Sequence, residues 1–151
     1  MNKQYLMAAK AYGNVGINTG VATADPHHLI VMLFDGAISA LRNAQLHIRA
    51  QRTAEKGMEI TKAIRILEEG LKASLDHKAG GEIATHLAAL YDFMTRHLLS
   101  ANKDNNVVAI AEVLGILQGL RDSWIAIDPH GNPPAGPKGA WSLPAQLAAA
   151  A

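Results

Sequence analysis

The chain has 151 residues, a net charge of +1 and no cysteine. That length fits one domain with a real core, and the near-neutral balance excludes the strong field of a nucleic-acid or anionic-membrane binder. The missing thiols exclude disulfides, thiol catalysis and zinc-thiolate sites. Apolar residues make up 49% of the chain but aromatics only 5%, so the core must be aliphatic, built from good helix formers. The opening MNKQYLMAAKAYGNVG lacks the apolar run of a signal peptide. No window is read as the roughly 18 consecutive apolar residues of a membrane span. These features predict a cytoplasmic protein with no membrane insertion and no nucleic-acid partner.

In chain order, residues 1–24 carry a short helical pattern (Tyr5, Leu6, Ala9, Tyr12) followed by a Gly/Asn/Thr-rich connection. They are expected to form an N-terminal cap segment. Asp25-Pro26 reads as an N-cap followed by proline in the first helical turn. The first long helix then places Ile30, Phe34, Ala37, Leu41, Ala44 and Ile48 on one seam. Thr53 is the expected N-cap of a second helix, with Ile60, Ile64, Leu67, Leu71 and Ser74 repeating the rhythm. Lys78-Ala79-Gly80-Gly81 is expected to stop it, with Glu82 opening the third helix at its positive end. The third seam runs Ile83, Leu87, Leu90, Met94 and Leu98. Asn102 to Asn106 then separates it from a fourth, through Ile110, Val113, Leu117, Leu120, Trp124 and Ile127.

This alternation of three and four residues is the pattern of helices packing at a shallow angle, and nothing alternates with the period of a strand. Short connections place sequential helices antiparallel. The expected fold is all-α: an antiparallel up-down-up-down four-helix bundle over 25–127, with a short N-terminal capping helix and a disordered Pro/Ala-rich C-terminal tail over 128–151.

One stretch exceeds what a bundle needs. LIVMLFDGA (Leu29–Ala37) opens with six apolar residues in a row. By helical geometry Val31 and Ile38 lie about 80–100° from the seam, with Met32 roughly opposite it. Leu46 falls on the same outer side, and Gly36 invites the close approach of another backbone. The surplus surface must meet residues 1–24, a second copy or a partner helix.

Chemistry finds no foothold. Glu82 and His86 lack the second, facing pair that a di-metal bundle site requires, and the seven histidines are scattered, best read as surface residues. Asp35 and Asp92 read as carboxylates at the edges of buried faces, pairing with residues such as Arg96. No metal, cofactor or catalytic residue is expected, and the chain does not read as an enzyme. A self-associating structural bundle using the surplus face is the alternative that periodicity leaves open.

Five stretches carry a resemblance: AY-x-x-V (Ala11–Val15), PHHLIVMLFDGA (Pro26–Ala37), KAIRILEEGLKASLD (Lys62–Asp76), GGEIATHLAALYDFMTRHLLSAN (Gly80–Asn102) and RDSW (Arg121–Trp124). In this order, over residues 5–127, the sequence resembles the flagellin export chaperones of the FliS family. The resemblance implies a cytoplasmic chaperone that binds the disordered C-terminal region of flagellin, holds it unpolymerised and delivers it to the type III export gate. The flagellin-binding surface would then comprise Leu29, Val31, Met32, Gly36, Ile38 and Leu46. Tyr5, Leu6, Tyr12 and Val15 would form a displaceable N-terminal cap, with the motif tyrosine Tyr12 also meeting the cytoplasmic domain of the export gate. An anti-sigma factor or other flagellar regulator and a weak homodimer are further expected partners. Tyr91 and Asp92 match the family's Leu-Tyr-Asp motif and are expected to be structural. The tail after Asp128 departs from the family core and receives no role.

Overall fold

The Asp25 carboxylate accepts a hydrogen bond from the His28 backbone N–H at 2.7 Å, and Pro26 fills the first turn of helix α1, Pro26–Arg49. This start lies where the sequence predicts it, because an N-cap oxygen and a residue without an N–H solve the same problem of orphan donors. The computed structural model describes residues 25–127. The expected cap in 1–24, including Tyr5, Leu6, Tyr12 and Val15, and the expected tail in 128–151 lie outside the described residues.

Helix α2 runs Thr53–Arg65 and continues without interruption into a π-helical stretch, Ile66–Lys72. Thr53 is not its N-cap: that position is Arg52, with no side-chain cap. Gln51 takes a left-handed conformation (φ 58°), and the Arg52 N–H bonds back to the His47 carbonyl at 2.8 Å. The turn is thereby closed one residue earlier, and Thr53 is already helical. Just past the π-helical stretch, the Ser74 hydroxyl donates to the Gly70 carbonyl at 2.6 Å, which also accepts from the Ser74 backbone N–H at 3.2 Å.

Helix α3, His77–Asp104, starts earlier than Glu82. Asp76 caps it, accepting from the Lys78 and Ala79 N–H groups at 3.0 Å each. Gly80-Gly81 therefore does not end α2. Gly81 instead breaks α3 internally, at φ 51°, ψ −124°, a conformation that glycine reaches at little cost. Helix α3 ends on left-handed Asn105, and α4, Val107–Ala126, begins at once with the Asn106 side chain accepting from the Ala109 N–H.

The elements form an all-α bundle with no strand among the described residues. Helix α1 packs against α2 and α4, and α3 closes the ring against the second half of α2 and against α4. Contacts between chain-distant ends fix the antiparallel directions: Lys56 with Asn102, His27 with Trp124 and His97 with Glu112. All four predicted seams enter one core, with Leu41, Ile60, Leu67, Met94, Leu98, Ile110, Val113 and Leu117 fully buried. Ile48, Ile64, Leu87 and Trp124 pack on its margin.

Helix α1 is long and apolar enough to cross a membrane by length and mean hydropathy, contrary to the expectation from sequence that no segment would be. However, 61% of the relevant window is buried inside the bundle, so its apolar length is used as a core helix.

A polar seam joins α2 to α3. Lys72 Nζ donates to Asp92 at 2.7 Å and to Glu68 at 3.4 Å, and the Thr95 hydroxyl donates to Glu68 at 2.8 Å. The hydrogen bond from Lys72 holds Asp92 below the usual carboxylate range, and the bond to Asp92 raises Lys72 above the ordinary lysine value. The stability that Asp92 contributes is present above the ordinary carboxylate pKa and is lost as pH falls through its lowered value. The contribution of Lys72 is complete below the ordinary lysine pKa and is lost as pH rises through its raised value. Asp92→Asn should therefore lower the urea midpoint by a constant, small amount between about pH 5 and 9, with the difference from the parent shrinking toward zero under strong acid. A pH series of urea melts on the two proteins checks this; a penalty that persists in acid would mean that the carboxylate charge is not what matters.

Candidate functional site

The candidate surface starts from α1. With Ile30 as reference and 100° per residue, Val31 and Ile38 share a flank with Asp35. Asp35 accepts a hydrogen bond from Arg121 Nε of α4, so this is the flank that meets α4. It is therefore not free: Val31 is 8% and Ile38 5% exposed, and Ile38 belongs to the main core. Leu29 at 2% and Gly36 are also buried. A helix held between two neighbours buries far more of its circumference than one seam, which corrects the expectation that Val31 and Ile38 lie outside the core. Val31 differs from Ile38 in one respect: it is buried without being part of the main core cluster. Met32 is half-buried, packed against the core's margin, and Leu46 is 56% exposed. The six residues thus divide into a buried flank and an accessible strip, on which Met32 and Leu46 are the apolar side chains, about four turns apart, with the exposed Ser39 and Asn43 between them.

The carboxylates have partners other than those expected. Asp35 pairs with Arg121 and Asp92 with Lys72, while Arg96 exerts only a weaker electrostatic pull on Asp92. Tyr91 is 3% exposed, and burial pushes its phenol up. The Tyr91-Asp92 pair therefore divides between core packing and the α2–α3 seam, a structural role for both.

His27 is not a plain surface histidine. Its Nε2 lies 2.8 Å from the Trp124 carbonyl, and the Trp124 indole N–H donates to the His27 carbonyl at 2.8 Å. The rings stack with centroids 5.0 Å apart. This reciprocal clasp ties the start of α1 to the end of α4 beside an apolar cavity of about 520 Å³. Sequence reasoning missed the cavity because its walls come from the ends of all four helices. The paired Gly80-Gly81 break and the small residues Ser74, Ala79 and Ala84 were the available signal. Among the described residues, no group of three histidines or carboxylates could hold a metal ion.

Comparison with known proteins gives a consistent result. The family described as "Flagellar protein FliS" matches residues 8–131. The flagellar secretion chaperone FliS of Salmonella typhimurium is 49% identical over 123 residues, covering 82% of this chain and 91% of that protein. The protein of the same name from Escherichia coli is 40% identical over 115 residues, 76% of this chain and 85% of the relative. That from Bacillus subtilis is 34% identical over 104 residues, covering 69% and 76%.

Proposed function

From the premise that the chain belongs to the FliS family of flagellar secretion chaperones, we propose that its client is flagellin and that it binds flagellin's C-terminal region. It is a chaperone family and not an enzyme family. In this proposal the chaperone works in the cytoplasm, keeps the segment from polymerising and hands it to the cytoplasmic domain of the export gate.

The observation that carries the proposal is the apolar excess of α1 within a family-matched chain. A disordered client loses conformational entropy when it orders, so its partner must offer extensive apolar surface. Met32 and Leu46 offer the accessible strip. Val31, buried outside the main core cluster, extends it once the covering layer shifts, and Tyr5, Leu6, Tyr12 and Val15 are the proposed cover; Leu29, Gly36 and Ile38, buried within the bundle, support the surface from beneath. Contacts with an anti-sigma factor or other flagellar regulator, and a weak homodimer through the same strip, belong to the same proposal.

Circular dichroism of the chaperone mixed with a peptide of the flagellin C-terminus tests the mechanism. The mixture should show more helix than the sum of its parts, because the client folds onto α1. A strictly additive spectrum would exclude coupled folding.

A further inference from the structure

The end cavity is built like a binding site and lies where the described chain stops. Its lining is mainly apolar, with Ile83, Leu87 and Tyr91 on α3 facing Ile30 and Phe34 on α1. Its volume of about 520 Å³ falls within the range of ordinary ligand pockets. Ser74, Asp76 and Ser123 supply a few polar groups at the border. Ile127, the last described residue, is itself part of the wall.

The segment after Ile127 matches that lining in chemistry. The large apolar residues of 128–151 are Trp141, Leu143 and Leu147, gathered in WSLPAQL, and Lys138 is the segment's one lysine or arginine. Residues 128–140 can span about 40 Å when extended. Their Gly- and Pro-rich sequence suits a reversal of direction, and the target begins at the segment's own root. An indole fills apolar space while its N–H needs an acceptor, which Ser74, Ser123 or Asp76 supplies. The family match ends at residue 131, so Trp141, Leu143 and Leu147 lie beyond the matched region.

We propose that the end cavity is a docking site for this chain's own C-terminal segment, with Trp141 as its anchor and Leu143 and Leu147 beside it. The segment acts as an intramolecular ligand of the bundle end. Its occupancy covers apolar surface that would otherwise be open to other chains.

The chain has no cysteine, so Ala149→Cys carries a single nitroxide in the full-length protein. The methyl resonances of Ile83 and Leu87 should lose most of their intensity through paramagnetic broadening, while Ile48 and Val108 at the far end keep theirs. Adding Trp141→Ala and Leu147→Ala to the labelled chain should restore the cavity methyls without shifting those of Met94 or Leu98. Absence of broadening at Ile83 and Leu87 would overturn the proposal. Broadening that appears only when nitroxide-bearing chains are mixed with isotope-labelled, nitroxide-free chains would overturn it in favour of a second copy. Broadening from Asn2→Cys in place of Ala149→Cys would overturn it in favour of the N-terminal segment.

Discussion

Met32→Asp should leave the bundle folded and weaken binding of the flagellin C-terminal segment by about 30- to 1,000-fold, or roughly 2–4 kcal/mol. Met32 is half-buried at the margin of the core, so an aspartate there keeps access to water in the free chaperone. When a client covers the strip, the same carboxylate becomes a desolvated charge without a partner, which costs far more than the lost thioether contact. Ile38→Asp provides the contrast. Ile38 is 5% exposed and belongs to the core, so that substitution should unfold the bundle before binding can be measured. Isothermal titration, with a thermal melt of each variant, separates the two cases. Wild-type affinity in a folded Met32→Asp protein would move the client site off this strip.

The second large effect concerns Lys56, which among the described residues is the charged side chain buried in the core, at 4% exposure. Its Nζ donates to the Asn102 carbonyl at 2.7 Å and to Asn105 Oδ1 at 2.6 Å. Both acceptors lie at the C-terminal end of α3, where the helix dipole and unsatisfied carbonyls favour a cation. Lys56 therefore spans from the first turn of α2 to cap the end of α3, and its methylenes pack on the way. Lys56→Met keeps most of the stem and removes the charge. It should destabilise the fold by about 2–3 kcal/mol, the order expected when charge-assisted bonds are lost and their acceptors stay buried. Urea denaturation measures this directly. A melt unchanged from the parent would mean that relieving the desolvation of the ammonium group offsets both bonds.

The helices and their inward faces were legible in the sequence because burial imposes its period on every turn. The seams through Ile30, Ile60, Leu90 and Ile110 identify the core sides, and Asp25-Pro26 marks a start through local chemistry alone. Less legible were features decided by neighbours. Thr53 looks like a cap, yet the turn at Gln51 closes one residue earlier. Gly80-Gly81 looks like a terminator, yet Asp76 caps a helical turn before it and Gly81 becomes a break within α3.

Val31 and Ile38 look external when one seam is taken as the whole buried face. The Asp35–Arg121 pair shows that α4 lies along that flank. The Lys56 bridge and the His27–Trp124 clasp join residues 46 to 97 positions apart, separations at which periodicity carries no information. The apolar excess of α1 is plain from LIVMLF; its division into a buried flank and an accessible strip is set by the packing of α2 and α4.

A bundle that folds a flagellin tail onto the accessible face of α1 must show it in the heat of binding. The decisive experiment is calorimetric titration of the full-length protein with the C-terminal segment of its own organism's flagellin, repeated at several temperatures. Saturable one-to-one binding with a markedly negative heat-capacity change, the mark of extensive apolar burial, is the expected result. No heat of binding at any temperature, with the protein running as a tight dimer, would contradict it and identify the strip as a self-association surface.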